Sequence, residues 1–251
     1  MAIVKLNIPN KMSEVKFGQY QKFHKLMTKD SDVDFVNKKM IEIFCGLPLL
    51  EVDKIKYESI ADIIEILTKM FNEKPDLIKK FEMDGVEYGF HPQLSEMTFG
   101  EFVDLDTFAG DWDTMDKALG VLFRPIKDNF RDTYLIEDYD GAKETHMKEM
   151  PLDVALGAIF FFIKFKNRTH ERYPSLFKER IESDYPTSEQ GFSNKWGWYA
   201  SLFSLSQGKI TEYEKVEKLN LDTCLTFLSF MKEKNELERQ QIKNARQRKF
   251  D

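Results

Sequence analysis

The chain opens with alternating apolar and polar positions, whereas most of the remaining sequence repeats its apolar positions at helical spacing. The stretches "AIVKLNIP" and "SEVKFGQYQKF" alternate, and alternation predicts a small N-terminal β element. In "IADIIEILTKMFNE", Ile60, Ile63 and Leu67 follow one face of a helix. The pattern therefore predicts a mainly α fold of the α+β class, a multi-helix globular domain with a minor β part.

A second β element is predicted near residues 78–91. The dipeptide Asp84-Gly85 separates "LIKKFEM" from "VEYGF", and Asp-Gly between alternating stretches is typical of a two-residue hairpin turn. The stretch Tyr134–Tyr139 is compatible with a further strand. Thr98 and Glu101 have the spacing of a capping box, which predicts that a helix begins there.

The strongest break in the helical pattern is "DYPTSEQGFSN", which combines Pro, Ser and Gly. It predicts a main α-rich domain over residues 1–183 and a C-terminal helical segment over residues 184–251. The last predicted helix is apolar before Lys232 and almost wholly polar from there on; residues 232–250 contain seven basic and three acidic side chains. It ends as a solvated helix or as an arm that becomes ordered on a partner.

Composition narrows the class of protein. Of 251 residues, 42% are apolar and 22 are phenylalanine, which predicts a well-filled core. The net charge of −6 does not favour binding to nucleic acid.

Cys45 and Cys224 lie in separate apolar runs and predict buried free thiols. The apolar run of residues 154–163 is too short to span a bilayer, and the N-terminal stretch "MAIVKLNIPNKM" lacks the long apolar core of a signal peptide, so we expect an intracellular protein.

Negative charge is concentrated in one stretch. Residues 81–116 contain ten acidic side chains and no Lys or Arg. The densest part is "FVDLDTFAGDWDTMD", and it predicts an acidic face made of Asp104, Asp106, Asp111, Asp113 and Asp116. Such a face could dock a basic partner or line a passage for DNA. The same aspartates also suit helix caps and loops.

The sequence contains none of the common local motifs for metal binding, phosphate binding or catalysis. The aspartates fit no calcium-loop register, the four histidines form no HExxH or zinc pattern, and no glycine-rich phosphate loop, GxSxG or CxxC occurs. We therefore predict a non-enzymatic protein without catalytic, cofactor-binding or metal-binding residues. The alternative is a metal-dependent hydrolase that uses the carboxylates from Asp104 to Asp113.

Two segments are candidates for binding a partner. "NKWGWYASLF" places Trp196, Tyr199 and Phe203 on one helical face and Trp198 on another; core packing is the alternative. The C-terminal segment carries several cations without enough apolar positions to bury a face. The predicted partner-binding residues are Trp196, Trp198, Tyr199, Arg239, Lys243, Arg246 and Arg248.

Several stretches resemble proteins encoded in the structural modules of tailed bacteriophages. In that poorly characterised family, a "GE-[FY]-[IV]-DLD" segment precedes a "K-A-hydrophobic-x-V-L-[FY]-RP" segment, matched here by Gly100–Asp106 and Lys117–Pro125. Lys195–Leu219 is similar to the tryptophan-bearing ends of some phage tail-assembly proteins. The resemblance covers roughly residues 85 to 220 and brings no catalytic residues with it.

The resemblance implies a role in virion morphogenesis through protein–protein contacts, with a tail-assembly chaperone as the first expectation. The partners would be other phage proteins of the tail or neck, a tape-measure client, or a second copy of this chain. The alternative is a structural ring, neck or tail component whose acidic face lines a DNA conduit. A chaperone would act in the host cell cytoplasm, and a ring component would stay in the virion.

Overall fold

The computed structural model describes residues 6–27, 32–131, 133–141, 146–177 and 195–247. Over these ranges the chain is mainly helical with one small sheet, which confirms the predicted α+β class. The α-helices are α1 (Phe17–Leu26), α2 (Val33–Cys45), α3 (Leu49–Val52), α4 (Tyr57–Phe71), α5 (Phe99–Phe108), α6 (Met115–Leu122), α7 (Leu152–Arg172), α8 (Pro174–Phe177), α9 (Trp198–Leu205), α10 (Tyr213–Glu217) and α11 (Leu221–Gln247). Short 3-10 helices lie at Met12–Glu14, Leu94–Glu96, Met147–Glu149 and Ile210–Glu212.

The sheet is antiparallel, with strand order β1-β2-β3-β4. Its strands are β1 (Lys80–Met83), β2 (Val86–Phe90), β3 (Phe123–Asn129) and β4 (Tyr134–Ile136). The predicted hairpin is confirmed: Asp84 and Gly85 join β1 to β2 with φ of 53° and 77°. Positive φ at both central residues is the requirement that makes Asp-Gly a favoured two-residue hairpin turn.

The predicted N-terminal β element is wrong for the residues that the structure describes. Residues 6–10 form no strand, and "SEVKFGQYQKF" lies mostly in the 3-10 helix and α1, with a single isolated β-bridge from Lys16 to Pro151 between them. Phe17 and Gln21 are buried one helical turn apart, and the Gln21 amide donates a hydrogen bond to the Trp112 carbonyl at 2.6 Å. Helical burial and this long-range hydrogen bond outweigh the local alternation. Residues 1–5 lie outside the described ranges.

The predicted capping box of Thr98 and Glu101 is confirmed. The Thr98 amide donates to the Glu101 carboxylate at 2.8 Å, and the Glu101 amide donates to the Thr98 hydroxyl at 3.2 Å, so the capping box before α5 is formed.

Both cysteines are free thiols, with Cys224 buried and Cys45 half-buried. Burial raises the pKa of each to about 11, which keeps both protonated at neutral pH.

The chain divides into two compact units. Unit 1 comprises Met1–Pro92 and Leu105–Phe161, and unit 2 comprises Gln93–Asp104 and Phe162–Asp251. The predicted boundary between residues 183 and 184 falls between the described ranges that end at 177 and begin at 195, so it stays a prediction.

The core of unit 1 is rich in phenylalanine. In its helical part, the Phe44 ring lies 5.2 Å from the Phe23 ring and 4.8 Å from the Phe71 ring, which joins α1, α2 and α4. At the sheet, the Phe123 ring meets the Phe90 ring edge-on at 5.3 Å. Edge-to-face aromatic pairs at these distances stabilise a core beyond simple burial of area.

Unit 2 is held by contacts between segments that are distant in sequence. The Phe99 amide donates to the Leu219 carbonyl at 2.8 Å, and the Leu221 amide donates to the Met97 carbonyl at 2.9 Å. The Tyr173 hydroxyl hydrogen-bonds the Asp222 carboxylate and thereby ties the end of α7 to the start of α11. These bonds hold the ends of α5, α7 and α11 together.

Gly157 in α7 is predicted to be intolerant of substitution, because a Cβ there would lie 2.3 Å from the Asp76 carbonyl oxygen. We expect Gly157→Ala to lower the free energy of unfolding by about 1–3 kcal/mol through this overlap, despite the better helix propensity of alanine. Urea unfolding followed by circular dichroism measures the change. The matched control is Gly110→Ala, whose Cβ would meet its nearest atom at 3.5 Å. Equal stability of the two variants would contradict the prediction.

Candidate functional site

The predicted aromatic residues form an exposed surface in unit 2. We call Trp196, Tyr199 and Phe203 the aromatic surface; their side chains are 43%, 50% and 53% exposed. The Trp196 and Tyr199 rings lie 5.7 Å apart, and the Tyr199 ring meets the Tyr213 ring of α10 at 5.9 Å. Large aromatic rings that remain in water without full burial are typical of protein-binding surfaces.

Gly197 separates Trp196 from the helix that carries the other two rings. It is the N-cap of α9 with φ of +47°, a conformation that favours glycine. Tyr199 and Phe203 therefore share a helical face as predicted, whereas Trp196 reaches the same surface from the residues before the helix.

Trp198 lies on a different helical face from Tyr199 and Phe203, as predicted, but it is a packing residue and not the exposed partner-binding residue that the sequence predicted. Its ring is half-buried and meets the rings of Phe99 and Phe102 edge-on at 5.8 and 5.6 Å, with the Phe177 ring 6.2 Å away. Phe99 and Phe102 are themselves fully buried on α5. Trp198 thus anchors α9 to the core of unit 2, and the anchored helix presents Tyr199 and Phe203 to solvent.

The predicted cationic residues lie on the last turns of α11. Every residue from 233 to 247 is exposed, and Arg239, Lys243 and Arg246 follow one another at spacings of four and three. This spacing places the three cations along one side of the helix. Arg248 lies outside the described residues. We call residues 239–247 the basic arm.

The predicted acidic residues do not form one solvated face. Asp116 is only 6% exposed; it lies 3.4 Å from the Gln21 amide nitrogen, a hydrogen bond, and 3.7 Å from the Lys148 ammonium. Its inclusion in the acidic face was therefore wrong, because a buried carboxylate with these partners is a packing element. Asp104 and Asp106 are half-buried on α5.

The two exposed aspartates of this segment have local partners. The Asp113 carboxylate pairs with the Lys25 ammonium at 2.6 Å. The Asp111 carboxylate accepts a hydrogen bond from the Asp113 amide at 2.9 Å, which shapes the turn between α5 and α6. The density of aspartates in the sequence thus reflects several separate structural tasks.

Like charges meet where α10 packs on α5 in unit 2. A Cβ on Gly100 would lie 3.1 Å from the Cβ of Glu217, which shows how close the two helices are. Burial raises the pKa of the Glu217 carboxyl, and the neighbouring charges of Asp104 and Glu214 raise it further. Asp104 is therefore part of a repulsive cluster within the fold.

A groove in unit 1 was missed from the sequence. It lies between the start of α2 and the length of α4, has a volume of 910 Å³, and is lined in part by Val33, Tyr57, Ala61 and Ile64. Val33 and Tyr57 are 73% and 79% exposed. The sequence signal that could have indicated this groove is the pair Tyr57 and Ile64, which are apolar positions beside the main buried face of α4. We call this surface the α2–α4 groove.

In the ranges that the structure describes, no three His, Cys, Asp or Glu side chains lie close enough together to hold a metal ion. No helix of these ranges is long and apolar enough to cross a membrane. No protein-family model, curated protein or solved structure matches the chain.

The two neighbouring aromatics Trp198 and Tyr199 should differ sharply in their effect on stability. We expect Trp198→Ala to lower the free energy of unfolding by about 2–4 kcal/mol, because it removes a ring packed on two buried phenylalanines. Tyr199→Ala should cost about 1 kcal/mol or less, since its ring is half in solvent. Thermal and urea unfolding of both variants tests this; a larger loss for Tyr199→Ala would mean that the aromatic surface belongs to the core.

Replacing Glu217 should stabilise the protein in a pH-dependent way. A carboxyl whose pKa is raised by folding disfavours the folded state once it is ionised, so the stability it allows below its ordinary pKa of 4.5 is lost as pH rises through the folded value. Glu217→Gln should therefore raise the free energy of unfolding at neutral pH by less than about 1 kcal/mol, given screening by solvent.

Urea unfolding at neutral pH and again below pH 4.5 measures this effect, which should vanish in acid. Glu73→Gln, an exposed carboxylate on unit 1, is the control. A gain for Glu217→Gln that persists unchanged in acid would show that charge is not its cause.

Proposed function

We propose that this chain is a non-enzymatic bacteriophage virion-morphogenesis protein that acts through protein–protein contacts as a tail-assembly chaperone. The observation that carries the proposal is the aromatic surface: Tyr199 and Phe203 are exposed on a helix that Trp198 anchors to the core, and Trp196 is exposed just before that helix. A rigid platform with exposed rings suits a protein that holds an apolar client. Binding of a client to these rings costs little side-chain entropy, because aromatic side chains have few rotatable bonds.

The chemistry of aromatic rings supports client binding. Trp and Tyr dominate the energetics of protein interfaces because each ring buries a large area and keeps a polar atom for hydrogen bonding. Trp196 and Tyr199 combine both properties. Phe203 adds purely apolar area. A surface of this composition fits an apolar segment of a protein, such as one of an aggregation-prone tape-measure client.

The resemblance to phage structural-module proteins supports the proposed role in virion morphogenesis. The matching segment Lys195–Leu219 contains the whole aromatic surface. In the segment Gly100–Asp106, Phe102 is packed against Trp198. The residues that carry the resemblance therefore include those that build and support the surface. The host cell cytoplasm is the expected location of such a chaperone.

The test is co-expression of the chain with the tape-measure protein of the source phage. We expect the wild type to keep this client soluble, and Tyr199→Ala combined with Phe203→Ala to lose most of that effect. Phe130→Ala is the matched control, since Phe130 is 52% exposed but belongs to unit 1. Equal client solubility with the double variant and the wild type would contradict a role for the aromatic surface.

Mass spectrometry of purified virions separates the chaperone from the ring or neck component. Absence from particles, despite abundance during infection, is the result expected for a chaperone. Several copies per particle would contradict the chaperone and favour the structural component. The structural alternative gains no support from Asp116, whose burial takes it away from any acidic lining of a conduit.

A further inference from the structure

The strand β1 of unit 1 forms one edge of the sheet. It pairs with β2 on one side, and no strand of the described ranges lies on its other side. Lys80 and Glu82 of β1 are exposed. An edge strand carries unpaired backbone N–H and C=O groups, which can hydrogen-bond a strand from another chain. β1 is therefore a place where an extended segment can join the sheet.

The pairing with β2 determines which backbone groups of β1 point outward. The Phe90 amide donates to the Lys79 carbonyl at 2.8 Å, so Lys79 belongs to a hydrogen-bonded pair. Hydrogen-bonded and non-hydrogen-bonded pairs alternate along an antiparallel ladder, so Phe81 also bonds to β2. The amide and carbonyl groups of Lys80 and Glu82 consequently point away from β2, toward the edge.

The charges on this edge are incompletely paired. The Glu82 carboxylate makes no hydrogen bond or ion pair in the described part of the chain, and it lies opposite Glu87 of β2, where like charges repel. The Lys80 ammonium lies 3.9 Å from Glu87 and donates to the Asn129 side-chain oxygen at 2.6 Å. That hydrogen bond uses one of its three donors. Two carboxylates thus share one lysine, and a second lysine beside Glu82 would be stabilising.

The edge of β1 is complementary to itself about Phe81. When two copies of β1 lie antiparallel with their Phe81 residues opposite each other, Lys80 of each copy faces Glu82 of the other. Both of these residues point their backbone groups outward, so each such pair forms two backbone hydrogen bonds. The two Phe81 residues form the non-hydrogen-bonded pair at the twofold axis, where side chains of facing strands lie closest.

Other antiparallel registers do not satisfy both the backbone and the charges. A shift by one residue would place the outward groups of Lys80 against Phe81, whose own groups are bonded to β2. A shift by two residues would place Lys80 opposite Lys80, or Glu82 opposite Glu82, and like charges in facing positions are destabilising. The register about Phe81 is therefore the favoured one.

The opposite edge of the sheet is less suited to pairing. Its strand β4 has three residues, and its register with β3 shifts between Ile126 and Asp128. Such an irregularity increases the local twist and turns an edge away from further pairing. β1 pairs in a regular register over all four of its residues. The two edges thus differ in their capacity to accept another strand.

We propose that two copies of this chain join through their β1 strands, antiparallel about Phe81, so that their sheets become one sheet across a twofold axis. The contact is isologous: each copy uses the same edge, so association stops at the dimer. A second copy is the occupant because β1 itself supplies both the lysine and the carboxylate that this register brings together. The proposal does not depend on the aromatic surface or on the chaperone function.

The first measurement is sedimentation velocity of the full chain over a wide concentration range. We expect a reversible monomer–dimer equilibrium of modest affinity, because the paired segment is short. Lys80→Glu leaves two acidic side chains on the edge, and Glu82→Lys leaves two basic ones. Each should raise the dissociation constant about tenfold or more, because like charges then face each other. A wild type that stays monomeric at the highest concentration would overturn the proposal.

Mixing the Lys80→Glu variant with the Glu82→Lys variant provides the decisive result. Opposite charges then face each other at both positions, so the mixture should associate although each variant alone does so poorly. The double variant Lys80→Glu with Glu82→Lys keeps the wild-type net charge and should dimerise by itself. A mixture that stays monomeric would show that the two residues do not face each other and would overturn the proposal.

The matched controls are Lys22→Glu on α1 and Glu65→Lys on α4, which change the net charge by the same amounts at exposed positions of unit 1. Both controls should associate like the wild type. Circular dichroism verifies that every variant is folded. Association of the wild type that is equally strong in Lys80→Glu and Glu82→Lys would also overturn the proposal.

Amide hydrogen exchange locates the contact independently of the side chains. The amides of Lys80 and Glu82 should become protected as the protein concentration rises, because they bond only to the second copy. The amide of Phe81, which bonds to β2, should be protected in the monomer as well. Dimerisation without added protection at Lys80 and Glu82 would place the contact elsewhere and overturn the proposal.

Discussion

The edge-on packing of Trp198 against Phe99 and Phe102 is the contact on which the candidate surface of unit 2 depends. It fixes α9 on α5, and α5 itself is held by the capping box of Thr98 and Glu101. With the Trp198 ring packed on α5, the helical periodicity directs the rings of Tyr199 and Phe203 outward. Exposure of these aromatic rings is thus a consequence of the way the helix is anchored.

The aspartates from Asp104 to Asp116 serve several separate structural contacts. Asp111 shapes the turn between α5 and α6, Asp113 pairs with a lysine, and Asp116 lies buried in α6. Asp104 lies close enough to Glu217 to raise the pKa of the Glu217 carboxyl. Exposed carboxylates also lie elsewhere, for example Glu58, Asp62 and Glu65 along α4. A dense run of acidic residues in a sequence therefore need not be the acidic surface that meets a partner.

Hairpin and capping signals were read correctly from the sequence because they depend on neighbouring residues. Asp84-Gly85 supplies the positive φ values that its turn requires, and Thr98 with Glu101 forms a capping box within four residues. The N-terminal strand was predicted wrongly for the opposite reason. Gln21 lies 91 positions from Trp112, and that hydrogen bond together with burial of Phe17 favours a helix.

The sequence by itself determined the helical class, the hairpin, the free thiols and the placement of Tyr199 and Trp198 on different helical faces, since periodicity and turn chemistry act over a few residues. Only the tertiary structure decided that Asp116 is buried and that α2 and α4 enclose a groove. Both depend on segments that meet across long stretches of chain, such as Gln21 and Asp116, which are 95 positions apart. Local patterns do not specify such meetings, because the free energy that selects them comes from packing and from pairing of buried polar groups.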